Sequence, residues 1–238
     1  MAADAGVTVT PGVEIVSEAQ ALVREATARG VVLRLLGGIA VSVRCTGGGD
    51  AAPHREFADI DAITRRKSKR GLAALLEERG YEPNQRFNAL NGRDRLIFYG
   101  PEGKLDVFVE SFEMCHRLDL ADRVELDAET ITVSDLLLTK LQVVELTDKD
   151  HQDLVLLLEV CGGDLDLPYL AQLLSNDWGL WRTVTGNLAR TAERVPATRP
   201  RIEGLLAAVE VAPKSRRWRS RAMVGERKRW YELPEEVG

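Results

Sequence analysis

The amino-acid sequence predicts an α+β protein: an α/β core with a mixed sheet, followed by an all-helical C-terminal domain. Short apolar or alternating runs, bounded by glycine and turn residues, occur before residue 130. After that point apolar residues recur at helical spacing, in segments that glycine and proline end. The 238 residues, 45% hydrophobic and 29% charged, suffice for a large core and exclude wholesale disorder. We therefore predict two domains, residues 1–130 and 131–238.

The first domain is predicted to begin with a helix. Ser17 followed by Gln20 is a capping-box pattern, so we expect the helix to begin there and to end at Gly30. The turn residues at 100–103 indicate a hairpin between the last two strands. The predicted strands are 31–36, 57–64, 93–99 and 104–109, and a further helix is predicted over 68–79.

The second domain is predicted to consist of helices. Ser134 or Asp135 is expected to cap a helix that runs to about residue 146, and Asp148 a second one that runs to about residue 160. The remainder is expected to form helices that are interrupted by Pro196, Pro200 and Pro213.

Three carboxylates interrupt otherwise apolar strands. Asp59 and Asp61 lie two residues apart, so strand alternation places both on one face of the sheet. Asp106 is a lone acid in another strand. If the two strands are neighbours, the carboxylates converge into an oxygen-rich site suited to Mg²⁺. The alternative is that Asp-x-Asp lies on a solvent-facing side and binds nothing.

Gly37 and Gly38 form a break between a predicted strand and a predicted short helix. Backbone N–H groups at such a helix start can bind phosphate oxygens. The alternative is a tight turn that serves packing alone.

Together these features resemble the polymerase-β-type nucleotidyltransferase superfamily. The resemblance is carried by LLGGIAV, FADIDAI and KLDVFVE, in that order, and covers about residues 31–110. It implies an enzyme that uses Mg²⁺ to move a nucleoside monophosphate from an NTP to an acceptor hydroxyl, with release of pyrophosphate. It also implies that Asp59, Asp61 and Asp106 are catalytic metal ligands and that Gly37 and Gly38 bind the nucleotide.

Two further sets of residues resemble the small bacterial branch, which contains abortive-infection toxins. The basic residues that often precede the metal pair in that branch suggest Arg55 as a nucleotide-binding residue. Residues 134–158 are similar to a toxin segment in which a lysine-bearing helix precedes an aspartate-bearing one, here Lys140 and Asp153. Lys140 lies on an apolar helix face, so it either binds the triphosphate or extends to solvent. Asp153 is either a nucleotide-binding residue or an exposed helix charge.

The distribution of charge limits the partners. The net charge of -5 excludes a uniformly basic nucleic-acid coat. Between Pro213 and Trp230, however, eight cations accompany one acid, which leaves this stretch at +7 and the rest of the chain at about -12. The stretch either binds a polyanion or packs on the acidic remainder of its own chain.

The sequence allows several classes of acceptor and predicts where in the cell the protein is found. RNA, a protein hydroxyl and a small molecule are all acceptors that the resemblance allows. The chain shows no signal-peptide pattern and no apolar stretch near the roughly 20 residues of a membrane helix, so we expect a cytoplasmic protein without a membrane partner. The alternative to an enzyme is a non-catalytic nucleotidyltransferase-like module for binding or regulation.

Overall fold

The computed structural model describes residues 11–46 and 56–233, with side chains from residue 14 onward. The chain divides into two compact units. The first contains the residues up to Val109 together with Asp127–Thr130, and the second contains Glu110–Leu126 and the residues from Ile131 on. The predicted α+β class is confirmed, because the first unit holds a mixed sheet and every described element after Ile131 is helical. The predicted domain division at residue 130 stays a prediction.

The first unit is a five-stranded sheet with helices. The strands are β1 Leu33–Leu36, β2 Asp59–Thr64, β3 Glu82–Pro83, β4 Arg95–Gly100 and β5 Gly103–Val109. Among these described strands the order is β1-β2-β5-β4-β3, and only the pair β2–β5 is parallel. The helices are α1 Pro11–Ala28, α2 Gly37–Thr46, α3 Lys69–Glu78 and α4 Gln85–Asn91.

Two predictions about the first unit have clear outcomes. The hairpin is confirmed, since β4 and β5 are antiparallel and Gly100 pairs with Gly103. The predicted helix start at Ser17 is wrong, because Ser17 lies inside α1. Ile15 and Val16 are buried and extend the apolar face of α1 upstream, so the helix continues past the capping-box pattern.

The second unit begins with a short two-stranded sheet and continues as helices. The strands are β6 Ser111–Glu113 and β7 Arg117–Asp119, which are antiparallel. The helices are α5 Val133–Leu141, α6 Asp148–Glu159, α7 Leu167–Asn176, α8 Trp178–Arg194, α9 Arg199–Val211 and α10 Arg216–Val224. No helix in the described part of the chain is long and apolar enough to cross a membrane.

The caps of α5 and α6 differ from the predicted ones. Thr132 caps α5, and its hydroxyl accepts a hydrogen bond from the Asp135 N–H. Thr147 caps α6 and forms a capping box with Asp150. In both cases a threonine precedes the acid that was predicted as the cap, and the acid itself lies in the first helical turn, where a negative charge also favours the helix.

Candidate functional site

The parallel pairing of β2 with β5 places the three predicted acids on one face of the sheet. Asp61 lies directly across from Asp106, and Asp59 lies across from Lys104. Because side chains alternate along a strand, Asp59, Asp61 and Asp106 share a face. We call these three residues the carboxylate face. It lies wholly within the first unit.

Asp106 is held by an arginine that the sequence analysis did not single out. The side chain of Asp106 is only 2% exposed, and both of its oxygens accept hydrogen bonds from Arg95, with an Nε–Oδ1 distance of 2.7 Å. The Arg95 guanidinium also lies 4.9 Å from the centre of the Phe108 ring. The hydrogen bonds to Asp106 raise the pKa of Arg95, and the charges of Asp61 and Asp59 add to this. Arg95 is therefore a permanent cation beside the acids.

Lys104 supplies a second cation. Its Nζ lies 3.3 Å from Oδ2 of Asp59 and 3.6 Å from Oδ2 of Asp106. Partial burial lowers the pKa of Lys104, but the neighbouring carboxylates, Asp106 first, outweigh that effect and raise it. Lys104 could have been found from the sequence, because it lies two residues from Asp106 on the same strand. Arg95 could not, because its position depends on the register of β4 against β5.

The glycine turn lies against the carboxylate face. Leu36, the last residue of β1, pairs with Asp61, and Gly37 begins α2 with a φ of 70°. A Cβ atom at Gly37 would lie 2.2 Å from Oδ2 of Asp61, so only glycine allows this approach. The first N–H groups of a helix have no partner within it, and α2 therefore begins beside Asp61 with hydrogen-bond donors. Gly38 is half-buried in the same turn.

The donor set fits a magnesium ion that a nucleotide helps to bind. Mg²⁺ is usually held by one or two carboxylates together with substrate phosphates. Asp59 and Asp61 provide two carboxylates, whereas both oxygens of Asp106 already accept hydrogen bonds from Arg95. Within residues 11–46 and 56–233, no group of three or more His, Cys, Asp or Glu residues is arranged to hold a metal. The direct coordination of a metal by Asp106 stays a prediction.

Lys140 and Asp153 form an ion pair within the second unit. Nζ of Lys140 lies 2.8 Å from Oδ2 of Asp153 and 3.1 Å from Oδ1 of Asp150. The side chain of Asp153 is 1% exposed, so the alternative that it is an exposed helix charge is wrong. The reason is that α6 packs against α5 and turns Asp153 toward the lysine.

Lys140 is mostly buried as well. Burial lowers its pKa, but the charges of Asp153 and Asp150 outweigh burial and raise it. Burial raises the pKa of Asp150, but the charge of Lys140 and the hydrogen bonds from Thr147 outweigh burial, and the net effect is a lowered pKa. Lys140 and Asp150 therefore stay ionised. The predicted roles of Lys140 and Asp153 toward a nucleotide stay predictions. Arg55 lies outside the described residues.

Comparisons with known proteins find similar solved structures at low sequence identity. No protein-family model matches the chain, and no curated protein matches it. One similar solved structure is the solution structure of the antibiotic-resistance factor ANT(2'')-Ia, with 13% identity, a TM-score of 0.44, and coverage of 90% of this chain and 95% of that one.

Two further solved structures are similar. The crystal structure of ANT(2'')-Ia in complex with adenylyl-2''-tobramycin has 15% identity, a TM-score of 0.41, and coverage of 65% and 91%. That of an antigenic nucleotidyltransferase-like protein from Paracoccidioides brasiliensis has 14% identity, a TM-score of 0.45, and coverage of 85% and 94%. Because all three TM-scores lie below 0.5, the function proposed below rests on the residues of this chain.

Proposed function

We propose that this chain is a magnesium-dependent nucleotidyltransferase that moves a nucleoside monophosphate from an NTP to an acceptor hydroxyl. The observation that carries the proposal is the meeting of three features: Asp61 lies across from Asp106, Asp59 shares their face, and the start of α2 at Gly37 touches Asp61. Carboxylates for a metal and N–H donors for phosphates are thus next to each other, as nucleotidyl transfer requires.

The reaction exchanges one bond to phosphorus for another. The acceptor oxygen bonds to the α-phosphorus, the bond from that phosphorus to the leaving oxygen breaks, and pyrophosphate departs while the hydroxyl loses its proton. A bound magnesium ion supplies charge neutralisation for the triphosphate and makes the acceptor hydroxyl more acidic. Asp59 and Asp61 would hold that ion. The N–H groups of Gly37 and Gly38 would bind phosphate oxygens and orient the nucleotide.

Asp106 completes the reacting face under the control of Arg95. The bidentate pair fixes the carboxylate of Asp106 in one orientation across from Asp61. The catalytic role that we assign to Asp106 rests on the resemblance to the nucleotidyltransferase superfamily, with Arg95 as the residue that positions it.

Lys140 is the proposed cation for the triphosphate, and Asp153 orients its ammonium group. This role, together with the assignment of Arg55 to the nucleotide, rests on the resemblance to the abortive-infection branch. RNA, a protein hydroxyl and a small molecule each carry an acceptor group of the required kind. The same resemblance favours a toxin-like enzyme.

The direct test is label transfer from each of the four α-labelled NTPs, with Mg²⁺, to fractionated cell RNA, protein and small molecules. We expect Asp59→Asn and Asp61→Asn to lose label transfer and to stay folded. Asp122→Asn is the matched control, because Asp122 is exposed and lies outside the carboxylate face, and it should transfer label normally. Wild-type transfer by Asp61→Asn would overturn the proposal.

A second candidate function is a nucleotide-binding module without catalysis. The observation that favours it is that Arg95 and Lys104 already neutralise much of the carboxylate face, so the acids are satisfied as part of the fold. Calorimetry distinguishes the two functions. A module would bind an NTP stoichiometrically and label none of the three fractions, whereas an enzyme would release pyrophosphate at every turnover.

A further inference from the structure

Four of the eight C-terminal cations lie on α10, and they do not all have the same surroundings. Nine residues at a rise of 1.5 Å make this helix about 13 Å long. Ser215 caps it, and its hydroxyl accepts a hydrogen bond from the Trp218 N–H. One side of α10 is fixed to the second unit, and the other side carries arginines into solvent.

The fixed side is aromatic. The rings of Trp218 and Trp181 lie 5.2 Å apart, edge to face. Arg221 lies 4.9 Å from the centre of the Trp178 ring and also donates hydrogen bonds to backbone carbonyls beyond the helix, at 2.6 Å to Gly225. These contacts use Trp218 and Arg221 to hold the helix in place, and they define which side of it faces outward.

The outward side carries Arg216, Arg217 and Arg219, all of which are exposed. We call these three residues the arginine face. Among the residues that the structure describes, none of the three has a carboxylate partner. The single acid of the stretch, Glu226, accepts instead from Arg182 at 2.6 Å. The alternative that this stretch packs on the rest of its own chain therefore holds for Trp218 and Arg221, and not for the arginine face.

We propose that the arginine face binds the phosphate backbone of single-stranded RNA. Exposed guanidinium groups match phosphate geometry and bind it bidentately. The face is short, so a flexible single strand can bring several phosphates onto it, whereas a rigid duplex presents phosphates at fixed positions along its length. The chain outside the stretch between Pro213 and Trp230 carries a net charge of about -12, which disfavours RNA binding elsewhere on the protein.

The experiment measures the affinity of the full-length protein for a fluorescently labelled single-stranded RNA of mixed sequence, by anisotropy at several salt concentrations. NTP and Mg²⁺ are omitted, so the result is independent of the proposed nucleotidyl transfer. Three phosphate contacts on a single strand give a slope of log affinity against log salt of about -2. The affinity should then fall about 20-fold between 50 and 200 mM salt.

The test variant is Arg216→Gln/Arg217→Gln/Arg219→Gln. The charge-matched control is Arg24→Gln/Arg70→Gln/Arg86→Gln, which removes three exposed arginines from α1, α3 and α4. Glutamine favours helix nearly as well as arginine, so both variants should keep the wild-type melting temperature. We expect the test variant to lose the salt-dependent binding and the control to keep most of it.

Three results would overturn the proposal. The first is wild-type protein without salt-sensitive RNA binding, and the second is equal loss in the test and control variants. The third is displacement of the labelled RNA by polyglutamate as effectively as by unlabelled RNA of the same total charge. This result would mean that the surface binds acidic protein segments as well as it binds RNA. A wild-type protein that binds RNA but transfers no label would contradict the proposed nucleotidyl transfer at the carboxylate face and leave the RNA-binding proposal standing.

Discussion

Replacing Gly37 by alanine tests whether the glycine turn places Asp61. Gly37 and Gly30 share a φ of 70°, but their surroundings differ. A Cβ at Gly37 would meet Oδ2 of Asp61 at 2.2 Å, whereas a Cβ at Gly30 would have nothing within 4 Å. Gly30→Ala therefore carries the backbone strain alone, and Gly37→Ala carries the same strain together with a collision against the carboxylate.

The size of both effects follows from these numbers. The left-handed backbone conformation costs a residue with a Cβ roughly 1–2 kcal/mol, so Gly30→Ala should lose about that much stability in urea unfolding. Gly37→Ala should lose more, because the collision with Asp61 adds to the strain. Contacts of a Cβ below 3.0 Å are essentially never seen, so in Gly37→Ala the Asp61 carboxylate must retreat by at least 3.0 - 2.2 = 0.8 Å. A displacement near 1 Å at a reacting centre can lower a rate about 10²-fold.

The assays are urea unfolding and Mg²⁺-dependent nucleotide transfer, measured on both variants. We expect Gly37→Ala to lose transfer about 10²-fold and Gly30→Ala to stay close to wild type. If the two variants lose stability and transfer equally, Gly37 does not place Asp61, and the assignment of the glycine turn to the site is refuted.

Four further predictions concern charged and titratable groups. Arg95→Met leaves the buried Asp106 without its main partner and should cost about 3 kcal/mol, while adding Asp106→Asn should recover most of the loss in a double-mutant cycle. Lys140→Met should destabilise the protein by a similar amount, because Asp153 is left charged and buried, and Lys140→Met/Asp153→Asn should restore stability without restoring transfer. Burial lowers the pKa of His116, so the contribution of neutral His116 to the free energy of unfolding is fully present above about pH 6.5. That contribution should be lost as the pH falls through the lowered pKa. Urea titrations at several pH values should find this loss in the wild type and not in His116→Gln. Chelation of metal should leave the melting temperature unchanged, because the carboxylate face already has two cations beside it.

The strands that bear the acids could be predicted because their signal is local. Alternation of polar and apolar residues around Asp59 and Asp61 specifies both a strand and a shared face, and the same pattern surrounds Asp106. The pairing of β2 with β5 joins residues that are far apart in the sequence. The sequence prediction therefore had to assume that these strands are neighbours, and only the structure shows that Asp61 lies across from Asp106. Strand β3 and helix α4 were missed, because two residues and seven residues are too short for a periodic pattern.

The Arg95–Asp106 and Lys140–Asp153 ion pairs could not be predicted, because each joins residues on separate elements. The surroundings of Asp153 within α6 are consistent with an exposed charge, and only the packing of α6 on α5 makes it a buried partner of Lys140. Arg216 shows the opposite case. Its charge is obvious in the sequence, but the side of α10 that Trp218 fixes decides that the arginine faces solvent.

The charges around the carboxylate face explain how three acids can lie side by side in the sheet of a stable fold. Three adjacent carboxylates would repel one another in a sheet, and Arg95 and Lys104 relieve that repulsion by placing two cations against three acids. The relief is uneven. Arg95 bonds both oxygens of the buried Asp106, whereas Lys104 lies at longer distances from Asp59 and Asp106 and is itself partly exposed. The fold therefore depends more on the buried, bidentate Arg95–Asp106 pair than on the partly exposed contacts of Lys104.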